Sequence, residues 1–335
     1  MTDVDALLIL NHLRVGPITG RRLMDRFGSP AAIFTAGAKE LAAAANIASD
    51  NVQRILQWER EVKLDKVWEI IRREQIRLLT YADADYPPLL REIYDYPLLL
   101  YSRGTLAPQE SAALGVVGTR MPTAYGSGIA RKWSAQLAAR GFTIVSGLAR
   151  GVDTQAHLGA LEAKGRTIAV LGYGFGYVYP RENERLFNTI VESGLVVTEY
   201  PYKRYHGKAS FPLRNRLIAG SSRALLVVES RNSGGAMITA HFANEYNRTV
   251  FAVPGSVHAP ASSGTNRLIR DGATLTRSVA DILDEFSFLF PRADRDAAAA
   301  PPTSGVPAPQ LSDIERQLYE ILLEPLTMDD LAHRS

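Results

Sequence analysis

The sequence predicts an α/β protein: a doubly wound, mostly parallel sheet preceded by a small helical domain and followed by a short helical module. Three observations carry this. Between residues 112 and 255, short apolar runs rich in β-branched residues alternate with helical stretches, the pattern of βαβ crossovers. The runs are apolar nearly throughout, as strands covered on both faces are. They end in turns rich in glycine and other small residues, where a strand hands over to a crossover helix.

Residues 1–75 read as a helical domain. LLILNHL, RRLMDRF, AAIFTAGAKELAAAA and the amphipathic NVQRILQWEREVKLDKVWEIIRRE are separated by Gly16, Pro17, Gly20, Gly28 and Pro30. The proline-rich YADADYPPLLREIYDYPLLLYSRG falls in a connector, 76–110. The main domain, 111–290, contains strands ALGVVGT, TIVSG, RTIAVLG, LVVTEY, ALLVVES and TVFAVPG, with a closing helix VADILDEFSFLF. Residues 291–310 have the Ala/Pro composition of a linker. Residues 311–335 hold one helix and the start of another, too little to bury a core, so this module is expected to be partial.

The start, MTDVDALLILNHLRVGP, lacks the basic segment of a signal peptide and the length of a membrane span. A cytoplasmic location is expected. With no cysteine in 335 residues, disulfides, thiolate metal sites and cysteine nucleophiles are excluded.

The net charge of +3 is modest but unevenly placed, and a polyanion senses the distribution. Residues 111–152 contain no acid, yet carry Arg120, Arg131, Lys132, Arg140 and Arg150. Residues 200–228 are again free of acids and hold Lys203, Arg204, Lys208, Arg214, Arg216 and Arg223, interleaved with Tyr200, Tyr202, Tyr205 and Phe211. Cations neutralise phosphates and rings stack bases without sequence preference, which is how single strands are held. The bland reading is a solvated loop with a core phenylalanine. Ligands of open parallel sheets bind at the carboxyl ends of the strands, so both acid-free segments are expected to converge there.

Gly118-Thr119 and Ser233-Gly234-Gly235, each before a helix, are candidate phosphate contacts or merely tight turns. Gly172-x-Gly174-x-Gly176 has neither the spacing nor the strand position of a dinucleotide fingerprint and reads as a turn. Its neighbours Tyr173, Phe175, Tyr177 and Tyr179 either offer stacking faces or pack on a helix. Asp153 and His157 are an acid–base pair, or an N-cap and an ordinary helix histidine. No hydrolase, P-loop or metal signature is present, so neither catalysis nor a cofactor or metal is expected.

The motifs GVVGTRMPTAYG (115–126), SGLARGVDTQAH (146–157), YPRENERL (179–186), FPLRNRLIAGSS (211–222), SGGAMITAHFANE (233–245) and VPGSVHAPASSGTNRLIRDGA (253–273) together resemble the bacterial DNA-processing protein A (DprA/Smf) family. The resemblance covers roughly residues 10–290. It implies a sterile-alpha-motif-like or helix-hairpin-helix-like N-terminal domain, an extended Rossmann-like domain and a winged-helix-like C-terminal module. It further implies single-stranded DNA binding, homodimerisation, here expected near residues 264–273, and loading of the RecA recombinase during natural transformation. The family's DNA pocket falls here on Arg120, Lys208, Phe211, Arg214, Asn215 and Arg216.

Two other readings compete. Related Rossmann-like phosphoribohydrolases carry P-G-G-x-G-T-x-x-E after a strand. Ser233-Gly234-Gly235 and Ala236-Met237 depart from that pattern, and Glu245 lies far downstream. A structural interaction module with basic loops kept for solubility is the third.

Overall fold

The computed structural model describes residues 1–45, 49–105, 112–205, 207 and 209–286. The expected linker 291–310 and module 311–335 lie outside these, as does Lys208.

The chain opens with α1 (Asp3–His12), α2 (Pro17–Phe27), α3 (Ala38–Ala45), α4 (Ser49–Leu56), α5 (Trp58–Glu61) and α6 (Leu64–Arg73). A capping box starts α1: Thr2 Oγ1 accepts from the Asp5 amide at 3.1 Å, and Asp5 accepts from the Thr2 amide at 2.8 Å. Pro17 opens α2, and Gly28 at φ 86° stops it, in the left-handed region that glycine enters without strain.

β1 (Arg77–Thr80), α7 (Pro88–Arg91) and β2 (Leu99–Gly104) follow, then β3 (Ala113–Val117), α8 (Ala124–Ala138), β4 (Thr143–Ser146), α9 (Val152–Glu162), β5 (Thr167–Val170), α10 (Glu184–Ser193) and β6 (Leu195–Thr198). The domain continues with α11 (Ser210–Gly220), β7 (Ala224–Val227), α12 (Gly235–Glu245), β8 (Thr249–Ala252), α13 (Ser263–Arg270), β9 (Thr274–Leu275) and α14 (Val279–Glu285).

The strands form one sheet in the order β1-β2-β6-β5-β4-β3-β7-β8-β9. From β6 to β9 all pairings are parallel, while β2 pairs antiparallel with both β6 and β1. The chain works outward from β3 to β6, then returns to β7 on the other side of β3. This is the expected doubly wound α/β topology, with its switch point between β3 and β7. β3 to β7 are buried along their whole length, which explains their unbroken apolar sequences.

Three strands escaped the sequence reading. β1 and β2 lie within the stretch read as a connector, where Pro87, Pro88 and Pro97 mask short strands whose pairing is long-range. β9 is two residues long.

Helices cover both faces. α7, α11 and α12 close one face over Val117, Val145, Val170, Val197 and Val227. α9, α10 and the N-terminal helices lie on the other, in a cluster that includes Leu99, Tyr101, Ala169 and Val196. Residues 1–289 form one compact unit, because the N-terminal helices share this core. Asn11 Nδ2 donates to the Glu199 carbonyl at 2.8 Å, and Asn11 Oδ1 accepts from the Tyr101 hydroxyl at 3.0 Å.

α8 and α9 approach backbone to backbone at Gly159. A Cβ there would lie 2.9 Å from the Arg131 carbonyl carbon and closer still to its oxygen. Gly→Ala inside a helix ordinarily stabilises by about 1 kcal/mol, but overpacking costs about 1–3 kcal/mol. Gly159→Ala is therefore expected to lower the urea midpoint, whereas Gly128→Ala, whose Cβ would meet nothing within 4 Å, raises it. Equal shifts for both would show that α8 and α9 do not pack this closely.

Candidate nucleic-acid interface

The loops after β3, β4, β5 and β6 meet at the carboxyl edge, where Arg214 on α11 ties the loop after β4 to the end of β5. Its side chain is 3% exposed. Nη1 donates to the Gly147 carbonyl at 2.7 Å and to the Val170 carbonyl, and Nε donates to Asn215 Oδ1 at 3.2 Å. Any side chain at Gly147 would run into this guanidinium. Burial pulls the Arg214 pKa down, with Asp153 opposing; a guanidinium nevertheless stays protonated in proteins.

Asp153 completes the arrangement, accepting from the amides of Gly147 at 3.1 Å and Ala149 at 3.4 Å. Burial pushes its carboxyl up, while Arg214 pulls the other way. Leu148, between them, adopts φ 54°, a left-handed conformation that a non-glycine residue holds only when its surroundings impose it. Those surroundings are His157 Nε2, accepting from the Leu148 amide at 3.3 Å, and Asn183 Nδ2, donating to the Leu148 carbonyl at 2.9 Å. Thr167 Oγ1 gives its proton to the Ile144 carbonyl at 2.7 Å and so accepts from His157 Nδ1 at 2.7 Å. The histidine is thereby fixed as the Nδ1–H tautomer. Asp153 and His157 are thus neither an acid–base pair nor a cap; they hold the loop after β4.

Above this brace sits Phe211, half-buried at the start of α11. The Arg120 guanidinium lies 5.2 Å from its ring centroid and that of Arg214 5.9 Å away, while the Tyr179 ring tilts against it at 5.8 Å. Arg120, Gly147, Ala149, Arg150, Tyr179 and Phe211 line a small hollow. Arg120 is exposed. Arg150 is offset by Glu182, whose carboxyl its hydrogen bond holds down at about 2.

The other expected site residues divide. Asn215 Nδ2 donates to the Gly235 carbonyl at 3.2 Å, tying α11 to the start of α12, where Gly234 is the N-cap and Gly235 is exposed. Gly118 sits against Val152 and the Glu229 carbonyl, where no side chain fits. The Thr119 amide donates to that same carbonyl at 2.7 Å, so it is spent on closing the turn rather than aimed at a ligand.

Arg216, two residues beyond Arg214, points away from Phe211. It donates to Glu199 and to the Asp95 carbonyl at 2.8 Å, with the Asp95 carboxylate 3.7 Å from Nε. Burial pulls its pKa down, but these carboxylates more than offset that. It is a buried ion-pair residue, not a rim contact.

Sequence reasoning missed Asn183 and Glu229. Glu229, 2% exposed, accepts from the Thr123 hydroxyl at 2.6 Å and the Thr123 amide at 2.9 Å, fixing the start of α8. Asn183 lies inside the YPRENERL motif, but nothing in its spacing announces its partner Leu148, and Glu229 belongs to no local polar pattern. Glu245, the carboxylate considered for hydrolysis, stands at the far end of α12 from Gly234-Gly235, beside His241. Among the described residues, no cluster of His, Cys, Asp and Glu could hold a metal, and no helix is long and apolar enough to cross a membrane.

A sequence model of the family described as DNA recombination-mediator protein A matches residues 77–287. Protein Smf of Synechocystis sp. is 40% identical over 273 residues, covering 80% of this chain and 69% of that protein. The X-ray structure of DNA processing protein A (DprA) from Streptococcus pneumoniae is similar with a TM-score of 0.75 at 31% identity, covering 85% of this chain and 98% of the other. DNA processing protein A from Helicobacter pylori, whose structure concerns its single-stranded DNA binding mode, is similar with a TM-score of 0.57 at 28% identity, covering 63% and 95%.

Burial pushes the His157 pKa down to about 3, against about 6.5 in an unfolded chain. Between these values the unfolded chain binds more protons than the folded one, so this group makes stability fall as pH is lowered below 6.5, by up to about 1.4 kcal/mol per unit. His157→Gln lacks that proton uptake. The stability advantage of the wild type over His157→Gln, measured by urea unfolding, is expected to shrink from pH 7 to pH 4.5. A constant difference would contradict the buried neutral imidazole.

Proposed function

Because the chain belongs to the DNA recombination-mediator protein A family, the DprA/Smf proteins, we propose that it binds single-stranded DNA along the carboxyl edge of its sheet. One observation carries this reading: an exposed arginine, Arg120, lies over a half-buried ring, Phe211, at the meeting point of two acid-free segments. Arg120 serves a phosphate while Phe211 and Tyr179 present faces to a base. Bases in a duplex are already stacked on one another, so a stacking site favours single strands.

Lys208, three residues before Phe211, supplies a second phosphate contact, and Lys203 and Arg204 peripheral ones. Asn215, Gly234 and Gly235 flank the path. Arg214 and Arg216 contribute through the frame they hold rather than by touching phosphate. Asp153 and His157 are engaged by the loop after β4 and by Thr167, which supports reading the protein as a binder rather than a catalyst.

The bound strand is protected and then passed to the RecA recombinase during DNA uptake and recombination, the role the family resemblance implies. A second copy of the chain joins at residues 264–273, on α13 beside the exposed edge strand β9, an edge that invites pairing.

Fluorescence anisotropy with a labelled oligothymidylate and a salt titration tests the binding. Arg120→Ala is expected to weaken binding and to make the slope of log K against log salt shallower by about 0.7. Phe211→Ala is expected to cost about 1–3 kcal/mol with the slope unchanged. Duplex bound as tightly as single strand, or no effect of either substitution, would overturn the assignment.

A further inference from the structure

The glycines of Gly172-x-Gly174-x-Gly176, whose spacing is not that of a dinucleotide fingerprint, have a purpose of their own in the structure. The Gly174 amide donates to the Arg204 carbonyl at 2.9 Å and the Gly176 amide to the Tyr202 carbonyl at 2.8 Å. A Cβ on Gly174 would collide with the Pro201 and Tyr202 carbonyls, and one on Gly176 would come within 2.7 Å of the Tyr202 carbonyl oxygen. Only glycine lets the loop after β5 lie flush against the loop after β6.

That close approach sets two tyrosines face to face. Tyr205 stacks on Tyr177 at 4.9 Å and 28°, and Tyr177 lies on Tyr173 at 4.8 Å and 31°. The foot of the column is rigid. Tyr173 is 1% exposed, its hydroxyl donates to the Tyr179 carbonyl at 2.6 Å and accepts from the Tyr179 amide at 3.0 Å. The top is open: Tyr205 is 71% exposed. Core packing does not explain a ring left so largely in water. Tyr179 joins this column to the Phe211 pocket, since its backbone is gripped by Tyr173 while its ring tilts on Phe211. Lys203 and Arg204 precede Tyr205 directly and bring cations to the same loop.

We infer that the outer face of Tyr205 is a second base-stacking platform, taking a base of the single strand that continues from the Phe211 pocket past Tyr179. The inference rests on the single-strand reading above and extends the site from one aromatic contact to two. A ring held by a stacked column loses little freedom when a base lands on it, so the contact is preorganised. Stacking is open to any base, so the platform adds affinity without sequence preference.

The test is anisotropy with oligothymidylates of graded length, comparing the wild type with Tyr205→Ala, Tyr205→Phe and Tyr205→Trp. On long strands Tyr205→Ala is expected to lose about 5- to 150-fold in affinity, the range for one stacked base. Its salt slope should stay that of the wild type, because the ring is uncharged. On the shortest strand that still binds, filling the Phe211 pocket alone, the loss should vanish. Tyr205→Phe should bind as the wild type does, and Tyr205→Trp should show fluorescence quenched by long strands only. Normal binding of long strands by Tyr205→Ala, with wild-type affinity still rising with length, overturns the platform and leaves the single-strand reading intact. A wild type that binds no single strand overturns both.

Discussion

The carboxyl edge of this sheet depends on one buried cation. A guanidinium taken out of water is costly unless its donors are met, and Arg214 is met by the carbonyls of Gly147 and Val170. One carbonyl belongs to the loop after β4 and the other to the last residue of β5, so α11 seats itself only with the β4 loop drawn against the end of β5. Gly147 has to be glycine to make room, and Asp153 supplies the compensating charge and gathers the Gly147 and Ala149 amides. Phe211, one helical turn before Arg214, is thereby set at the rim, where Arg120 reaches it.

The same helix shows how a basic motif divides its labour. In Arg214-Asn215-Arg216, residues two apart project to nearly opposite sides of a helix. Arg214 braces the loops, and Arg216 pairs with Glu199 and Asp95 beneath the N-terminal helices. Asn215, between them, reaches the Gly235 carbonyl and links α11 to α12. The charges left facing solvent are those of residues such as Arg120 and Lys203. A loop system held this firmly has little conformational freedom to lose on binding, which favours affinity from few contacts.

This division explains what was legible in the sequence. The parallel strands β3 to β8 were readable because burial on both faces writes a continuous apolar run, and the positions of their turns alone put Arg120 and Phe211 on one edge. β1 and β2 were not, since β2 enters the sheet by pairing with β6, far along the chain, β1 pairs only with β2, and prolines crowd the stretch between them. Composition marks an arginine as basic but not as buried, so Arg214 and Arg216 read as surface contacts. Asn183 and Glu229 depend on partners distant in sequence, and His157 on partners in the neighbouring strand and loop that no local spacing announces. The glycine spacing after β5 reads as a turn, and its partner, the loop carrying Tyr202 and Arg204, could be found only in three dimensions.

The central claim is that DNA lies along the carboxyl edge framed by Arg214, and photocrosslinking tests it most directly. With a single strand carrying 5-iododeoxyuridine at successive positions, crosslinked peptides are predicted from residues 119–122, 147–151, 176–181 and 201–214. Crosslinks concentrated instead in the N-terminal helices, or along β9, would contradict the account.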